Sequence, residues 1–212
     1  MKTSRGLVEN GIIVGNCFDK YGSRNPIIQL IMKGFESSLQ VLVDRVKPDD
    51  IHEVGCGEGY WVINWHKQGI RAKGSDISEK IIAMAKDNAE KQAVPATIFS
   101  RKSIYNLSPA SDSAELIVCC EVLEHLEKPE DALAVLSNIA NPYLIVSVPR
   151  EPVWRILNMM RGKYVTCFGN TPGHIQHWSK GEIISLVSQY FEVLDDQSPF
   201  PWTMLLCQRR AF

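Results

Sequence analysis

Apolar and polar residues follow one another along the chain with two periods, one typical of helices and one typical of buried strands. From Asn25, apolar residues recur every three or four positions as far as Val46, and Pro26 and Pro48 stand at the two ends of this run. Proline is well tolerated in the first turn of a helix, where its missing N–H costs no hydrogen bond. The pattern therefore predicts a helix that begins near Pro26 and ends before Pro48.

Shorter apolar runs and further helical patterns follow this segment. The apolar runs predict strands at residues 51–54, 70–75, 97–100, 115–120, 143–148, 191–194 and 203–209. The helical patterns predict helices at residues 61–66, 78–92, 129–140 and 179–190. In the last of these, Ser179 precedes Glu182 by three positions, which is the pattern of a capping box.

Strands that alternate with helices are typical of an α/β protein. We expect a doubly wound, mostly parallel sheet of seven strands, with helices on both faces. The last two strands have no helix between them, which predicts a C-terminal antiparallel hairpin at one edge. Because the sequence shows no internal repeat and no linker, residues 1–212 are predicted to form one domain, with residues 1–47 as an N-terminal cap and helix.

The charge of the chain is nearly balanced, with 23 Lys and Arg against 24 Asp and Glu. Proteins held to a polyanion usually carry a basic surplus, so a nucleic acid or an anionic membrane is disfavoured, although a local basic patch is compatible with the same total. No run approaches the roughly 20 apolar residues that span a bilayer, and residues 1–10 lack the apolar core of a secretory signal. The six cysteines include no C-x-x-C pair, which favours a reducing, cytoplasmic location over a zinc site or a disulfide framework.

The segment after the strand at residues 51–54 carries three glycines at alternating positions, in the run Glu53-Val54-Gly55-Cys56-Gly57-Glu58-Gly59. Glycines between a strand and a helix let the main chain approach a ligand closely. The dinucleotide fingerprint G-x-G-x-x-G would need its last glycine at the position of Tyr60. Asp76 stands at the end of the next strand, 21 positions after Gly55, where a carboxylate can accept both hydroxyls of a ribose.

These residues, together with the run Ile117-Val118-Cys119-Cys120-Glu121-Val122-Leu123-Glu124-His125-Leu126, resemble the motifs of the class I S-adenosylmethionine-dependent methyltransferases. The resemblance covers the chain from Tyr21 to Phe212, and within the class it is similar to the ubiquinone-biosynthesis O-methyltransferases. It implies a Rossmann-like fold, S-adenosylmethionine as cofactor and S-adenosylhomocysteine as product. It also implies methyl transfer to a small or medium-sized acceptor, with oxygen preferred as the methylated atom.

The resemblance further implies which residues bind the cofactor. From the methionine end to the adenine end these are Tyr21, Arg24, Glu53, Gly55, Cys56, Gly57, Cys120, Glu121, Asp76, Ile77, Ser103 and Ile104. In this scheme Asp76 holds the ribose, and Arg24 can meet the carboxylate of the cofactor with its planar guanidinium. Many family members carry an acidic residue in place of Ser103. Plainer interpretations stay open, because Glu53 could bond the main chain of the glycine loop and Arg24 could be a surface residue.

The segment at residues 149–178 is longer than a simple connection and is rich in aromatic residues. It follows a predicted strand at the edge of the sheet where ligands of open α/β folds collect. We expect it to cover the acceptor, with His174 or His177 as general base or hydrogen-bond partner. Two alternatives stay open: the aromatics could pack an inserted helix pair onto the sheet, or the apolar residues at 153–160 could form an exposed amphipathic stripe at a membrane.

Glu121, Glu124 and His125 offer two carboxylates and an imidazole within five residues, and a later histidine could join them around a divalent metal ion. A similar arrangement occurs in the small-RNA 3′-end 2′-O-methyltransferases and in some ubiquinone-pathway relatives. We interpret the run instead as a strand-to-helix turn and assign no metal ligand. Two alternatives therefore stand beside a small-molecule methyltransferase: a metal-assisted RNA 3′-end ribose 2′-O-methyltransferase and a catalytically silent regulatory subunit that binds the cofactor.

Overall fold

Strands and helices alternate along most of the chain in the computed structural model, which describes residues 1–4, 6–9, 12–15 and 20–210. The strands are β1 (Leu7–Glu9), β2 (Ile12–Val14), β3 (Asp50–Val54), β4 (Arg71–Asp76), β5 (Phe99–Arg101), β6 (Ala114–Cys120), β7 (Ala140–Pro149), β8 (Phe191–Gln197) and β9 (Trp202–Arg209). The α-helices are α1 (Pro26–Val46), α2 (Tyr60–Lys67), α3 (Glu79–Glu90), α4 (Pro109–Asp112), α5 (Pro129–Ile139), α6 (Val153–Met160) and α7 (Lys180–Val187). The order of elements confirms the predicted α/β class.

Seven strands form one sheet in the order β5-β4-β3-β6-β7-β9-β8. The pairs from β5 through β7 are parallel, whereas β9 runs antiparallel to both β7 and β8. This arrangement confirms the mostly parallel, doubly wound sheet and its C-terminal antiparallel hairpin. From β3 the chain builds outward to the edge strand β5 and then returns to β6, so the winding reverses direction between β3 and β6. Ligands of open α/β sheets bind at such a reversal, at the carboxyl ends of the strands.

The core is divided between the two faces of the sheet, because successive residues of a strand point to opposite faces. In β6, Leu116 and Val118 belong to one hydrophobic cluster, which includes the apolar residues of α1, α2 and α3. Ile117 and Cys119 belong to a second cluster, which includes those of α5 and α7. Helices therefore cover both faces, and β6 is buried on each of them. None of the helices within the described ranges is long and apolar enough to cross a membrane.

The helix ends follow the local sequence. Asn25 is the N-cap of α1 and accepts a hydrogen bond from the N–H of Ile27 at 2.9 Å. At the start of α7, Ser179 and Glu182 form the predicted capping box, in which each side chain accepts a hydrogen bond from the backbone N–H of the other residue. Such caps satisfy N–H groups that have no partner within the helix.

Several local features of the structure differ from what the sequence predicts. The short antiparallel pair of β1 and β2 was not expected, because three-residue strands leave too little pattern to be recognised. Residues 97 and 98 belong to a 3₁₀ turn after Pro95, so β5 begins only at Phe99. Helix α7 ends at Val187 rather than near Tyr190, because a turn is needed before the fully buried Phe191 enters β8.

Candidate active site

The glycine loop lies directly after β3, at the reversal point of the sheet. Gly55, Gly57 and Gly59 have φ angles of 78°, 52° and 83°. Residues other than glycine adopt this left-handed backbone conformation only with strain. The N–H groups of Gly55 and Cys56 donate to the carbonyl of Ser75 in β4 at 2.8 and 3.0 Å. A Cβ atom on Gly55 would lie 2.3 Å from Val122 Cγ2. The loop therefore presents bare main chain, and Val122, in the segment after β6, lies directly beside it.

Asp76, the last residue of β4, is hydrogen-bonded to this loop. Its two carboxyl oxygens accept hydrogen bonds from the N–H of Gly57 at 3.2 Å and from the N–H of Ser78 at 2.9 Å. Burial raises the pKa of Asp76, and the two backbone donors partly offset this effect. The predicted ribose carboxylate is thus placed against the glycine loop, as expected from its spacing in the sequence.

Glu53 is the last charged residue of β3 and is 5% exposed. Its carboxyl group receives a hydrogen bond from the backbone N–H of Val62, in the first turn of α2, rather than from the glycine loop. The other oxygen, Oε2, is buried and has no hydrogen-bond partner among the described residues. Burial raises the pKa of Glu53 well above its usual range, while the nearby ammonium group of Lys20 lowers it. A buried carboxyl oxygen without a partner is costly unless a ligand donates to it.

Tyr21 lies against the same region, and Arg24 lies on the surface. The ring of Tyr21 stacks on Tyr60 with 3.8 Å between centroids, and its hydroxyl accepts a hydrogen bond from Trp61 Nε1 at 3.0 Å. Burial raises the pKa of Tyr21 well above its usual range, and the charge of Glu53 adds to the increase. The structure thus brings Tyr21 to the predicted site, whereas the side chain of Arg24 is exposed to solvent.

Cys56 packs beneath the loop. It is 6% exposed, and a Cβ atom on Gly74 of β4 would lie 2.8 Å from its Sγ atom. Burial raises the pKa of the Cys56 thiol well above its usual range, so the thiol is neutral. Cys56 therefore fills the space beside Gly74, and a larger residue at position 74 would not fit there.

The residues expected near the adenine lie at the ends of β4 and β5. Ile77 and Ser103 line an open depression of about 500 Å³, together with Arg101, Lys102 and Asn106. Ile104 does not line it, because its side chain is 8% exposed and packs into the core cluster on the face of α5 and α7. The contact expected of Ile104 with the adenine therefore stays a prediction for its backbone, which adjoins Ser103.

Glu121 follows β6 and is held in an unusual backbone conformation, with a φ angle of 60°. Trp202 Nε1 donates to Glu121 Oε2 at 2.5 Å, and Ser147 Oγ donates to Glu121 Oε1 at 3.2 Å. Burial raises the pKa of Glu121 to about 7, against the opposing effects of Lys20 and these two donors. The neighbouring thiol of Cys120 is half-buried, and burial raises its pKa as well.

Glu124, His125 and His174 form a separate cluster, in which one possible ligand atom from each residue lies within 4.8 Å of the others. Glu124 is 1% exposed, and neither of its carboxyl oxygens has a hydrogen-bond partner in another described residue. His125 Nδ1 lies 2.8 Å from the carbonyl oxygen of Gly173, which fixes the ring. Glu121 does not belong to this cluster, because its carboxyl group is bonded to Trp202.

The two histidines expected near the acceptor differ in their surroundings. His174 is 8% exposed and stacks on Trp154, with 5.9 Å between ring centroids. Burial lowers the pKa of His174 to about 3, and the nearby imidazoles of His125 and His177 lower it further. His177 is exposed, and its Nε2 atom lies 2.7 Å from Asn170 Oδ1. The structure therefore brings His174, but not His177, into the buried part of the site.

Two groups of contacts at the site were not predicted from the sequence. Trp202 and Ser147 fix the carboxyl group of Glu121, although they lie on β9 and β7. Trp154 of α6 packs between Trp202 and His174, with centroid distances of 5.8 and 5.9 Å. These aromatic rings form one wall beside Glu121, and only the pairing of β9 with β7 brings them together.

Comparison with known proteins finds similarity to methyltransferases. Residues 51–142 match the family model described as a methyltransferase domain. The ubiquinone biosynthesis O-methyltransferase of Aeromonas salmonicida (strain A449) is 22% identical over 118 residues, or 54% of this chain and 50% of that protein. The chain spans about half the length of the curated relatives it matches.

Two solved structures share the fold. Magnesium protoporphyrin IX methyltransferase (ChlM) from Synechocystis PCC 6803, solved with bound SAH, has a TM-score of 0.68 at 19% identity, over 89% of this chain and 90% of that one. The methyltransferase domain of bacterial CtHen1 has a TM-score of 0.64 at 20% identity, over 84% of this chain and 99% of that one.

Two findings point to one class of protein: residues 51–142 match the methyltransferase domain, and the chain shares its fold with a methyltransferase solved with bound SAM and with bound SAH. Ubiquinone biosynthesis O-methyltransferases are among the distant curated proteins to which it is similar.

Proposed function

We propose that this chain transfers a methyl group from S-adenosylmethionine to an oxygen atom of a small or medium-sized acceptor. The observation that carries the proposal is the glycine loop at the reversal point of the sheet, tied by the N–H of Gly57 to the carboxyl group of Asp76. When bound, the cofactor supplies an electrophilic methyl group on a sulfonium, and this chemistry belongs to the cofactor itself. The protein must align the acceptor, exclude water and manage the proton of the acceptor.

The donors and acceptors on the chain fit the polar groups of this cofactor. Glu53 Oε2 is a buried acceptor with no hydrogen-bond partner among the described residues, which suits an ammonium group. Asp76 supplies a carboxylate for ribose hydroxyls, and the depression beside Ile77 and Ser103 is open enough for an adenine ring. Tyr21 would cover the methionine end, beside Glu53. The same scheme retains Cys56, Cys120 and the backbone of Ile104 as neighbours of the cofactor, and keeps Arg24 as a proposed contact of its carboxylate.

We propose that residues 149–178 cover the acceptor. Of the roles expected for His174, its low pKa favours a neutral hydrogen-bond partner over a general base. Glu121, with a pKa of about 7, is the better placed group to take the acceptor proton near neutral pH. His177 stays a prediction, because it lies exposed beside Asn170. The five cysteines among the described residues are free, which supports a reducing compartment and our proposal of a cytoplasmic location.

The proposal is tested by incubating the chain with methyl-labelled S-adenosylmethionine and a panel of phenols, carboxylic acids, amines and 3′-terminal RNA. We expect label to appear in an oxygen-methylated product, and Asp76→Asn to abolish most of the transfer. Transfer to nitrogen or carbon only would overturn the choice of atom. Tight cofactor binding without transfer to any class of acceptor would instead support a regulatory subunit.

One observation favours a second candidate, metal-assisted methylation of an RNA ribose. The carboxyl group of Glu124 has no hydrogen-bond partner in another residue of the described ranges. Together with His125 and His174 it offers the mixed oxygen and nitrogen ligands that divalent transition metals accept. Such a metal would help these three residues hold vicinal hydroxyls of an acceptor. Activity on a 3′-terminal RNA that is lost on chelation, restored by manganese and abolished in Glu124→Gln would favour this candidate over the first.

A further inference from the structure

Helices α1 and α2 leave a small cleft between them at the surface. It has a volume of about 270 Å³, and its lining side chains come from the middle of α1 and from the first turn of α2. We call this site the α1–α2 cleft, which consists of Glu36, Ser37, Gln40, Tyr60 and Trp61. None of these residues is among the proposed cofactor contacts. Pockets for drug-sized ligands have volumes of about 300–1,000 Å³, so the cleft suits one small chemical group.

Acceptor atoms dominate the polar part of the cleft. The carboxyl group of Glu36 accepts a hydrogen bond from the hydroxyl of Tyr60 at 3.4 Å, and it forms no salt bridge with another residue in the described part of the chain. The amide nitrogen of Gln40 donates to Asp44 Oδ1 at 2.8 Å, so the amide oxygen of Gln40 remains as an acceptor. The cleft therefore offers a ligand a carboxylate that no protein cation neutralises.

Aromatic rings form the other wall of the cleft. Tyr21 stacks on Tyr60 with 3.8 Å between centroids, and Trp61 stands nearly perpendicular to Tyr60, with 5.1 Å between centroids. The indole N–H of Trp61 is already engaged, because it donates to the hydroxyl of Tyr21 at 3.0 Å. Tyr60 and Trp61 therefore present ring surface to the cleft rather than free N–H or O–H donors. The face of an aromatic ring is negative and attracts a cation.

A cation already lies beside this group of rings. The ammonium group of Lys20 is 5.3 Å from the centroid of the Tyr21 ring. Its charge lowers the pKa of Glu53 and of Glu121, so Lys20 acts on the carboxyl groups of the candidate active site. Lys20 does not line the α1–α2 cleft. The rings thus accept a cation on the side of the active site, whereas none of the described residues that line the cleft is a cation.

We propose that the α1–α2 cleft binds an organic ammonium group, held by the carboxylate of Glu36 and by the rings of Tyr60 and Trp61. Aromatic rings recognise such cations, including quaternary ammonium groups, and a carboxylate adds a countercharge. An anionic ligand would be repelled by Glu36. A free amine and the side chain of a lysine in a partner protein share this ammonium chemistry, and the experiment distinguishes the two sources.

The probe is choline, and the control ligand is 3,3-dimethylbutan-1-ol, which has the same shape without the charge. Nitrogen-15 NMR of the full chain follows the indole N–H signals, and Trp61→Phe identifies the signal of Trp61. We expect choline to shift this signal with a dissociation constant in the millimolar range, since so small a ligand makes few contacts. The uncharged ligand should bind at least about fivefold more weakly. The signal of Trp154, which does not line the cleft, should not move.

Matched variants locate the site. Glu36→Gln keeps the size of the side chain and removes its charge, and Tyr60→Leu removes one ring. Each should weaken choline binding by about threefold or more. The controls are Glu90→Gln, an exposed position at the end of α3, and Tyr105→Leu, which removes a ring that is 39% exposed. These controls should bind choline as the original chain does, and circular dichroism establishes that each variant is folded.

A second pair of probes identifies the source of the ammonium group. A short neutral peptide that carries one lysine is compared with the same peptide acetylated on that lysine. If the lysine peptide binds more tightly than both choline and its acetylated form, the cleft is a site for a partner protein. If choline binds as tightly as the lysine peptide or more tightly, the cleft is a site for a free amine.

The measurement needs neither S-adenosylmethionine nor an acceptor, so its outcome does not depend on the proposed methyl transfer. Three results would overturn the proposal. The first is a folded chain whose Trp61 signal moves with neither choline nor the lysine peptide. The second is equal binding of choline and 3,3-dimethylbutan-1-ol, because apolar contact alone would then explain the affinity. The third is a choline affinity that is the same in Glu36→Gln, in Tyr60→Leu and in the original chain.

Discussion

The indole N–H of Trp202 donates a hydrogen bond to the carboxyl group of Glu121 across 81 positions of the sequence, at 2.5 Å. Glu121 stands at the carboxyl end of β6, where its φ angle of 60° turns the chain out of the sheet. Trp202 opens β9 and pairs with Pro149 of β7, so the sheet itself sets the position of the indole. The central acidic group of the site is therefore oriented by the antiparallel hairpin at the far end of the chain.

Replacing Trp202 by Phe should raise the pKa of Glu121 above its value of about 7, because the lost hydrogen bond stabilises the charged carboxylate. It should also lower the free energy of unfolding by about 1–3 kcal/mol, since a buried acceptor loses its donor. Carbon-13 NMR titration of the glutamate carboxyl groups, with Glu121→Gln for assignment, measures the pKa.

The matched control for this change is Trp154→Phe, which also removes one indole N–H near the site. That N–H donates to Thr171 Oγ1 at 2.9 Å and not to Glu121. In this control variant the pKa of Glu121 should stay at about 7. Equal pKa values in Trp202→Phe and in the original chain would show that the hydrogen bond does not act on this carboxyl group.

Gly55→Ala should destabilise the fold and weaken cofactor binding together. The new Cβ would lie 2.3 Å from Val122 Cγ2, and the φ angle of 78° is unfavourable for alanine. We expect the free energy of unfolding, measured by urea denaturation, to fall by more than about 2 kcal/mol from the steric overlap and the backbone strain combined.

Gly69→Ala separates the two causes of this loss. Gly69 has a φ angle of 88°, similar to that of Gly55, but nothing lies within 4 Å of its Cβ position. This variant should lose only about 1 kcal/mol, the part due to backbone strain. Equal free energies of unfolding for Gly55→Ala and Gly69→Ala would show that the steric overlap with Val122 does not destabilise the fold.

His52 makes the stability of the fold depend on pH. It is 1% exposed, its Nδ1 lies 2.7 Å from the carbonyl of Asp112, and its Nε2 lies 2.9 Å from Ser75 Oγ. Burial lowers its pKa from 6.5 to about 4. Because the unfolded chain binds the proton more readily, the stabilisation is complete above pH 6.5 and is lost as the pH falls towards 4.

Between these two pH values the original chain should lose about 3 kcal/mol more of its unfolding free energy than His52→Gln loses. Urea denaturation at a series of pH values measures both curves. His66→Gln, at a half-buried position of α2, serves as the control. Its unfolding free energy should fall with pH as steeply as that of the original chain. Parallel curves for His52→Gln and the original chain would contradict the assigned cause.

Much of the fold follows from the sequence because its determinants are local. The run of apolar residues in β6 is buried on both faces, and the capping box at Ser179 and Glu182 forms as its spacing predicts. The glycine loop and Asp76 also come together as expected, since adjacent parallel strands end at the same edge. The pair of β1 and β2 escapes prediction, because its strands have three residues each.

The acceptor side of the site could not be predicted in the same way. Glu121 and Glu124 are three residues apart, yet one bonds Trp202 and the other joins His125 and His174. The left-handed backbone at Glu121 and the register of β9 determine this separation, and neither leaves a periodic signal in the sequence. Of the six cysteines, Cys17 lies outside the described residues.

Isothermal titration calorimetry with S-adenosylhomocysteine tests the central claim most directly, because binding of the demethylated product needs no acceptor. We expect one site per chain with a dissociation constant on the order of micromolar. Asp76→Asn should weaken it by about tenfold or more, whereas Asp87→Asn, at an exposed position of α3, should leave it unchanged. A folded chain that releases or absorbs no heat with either this product or S-adenosylmethionine would contradict the account.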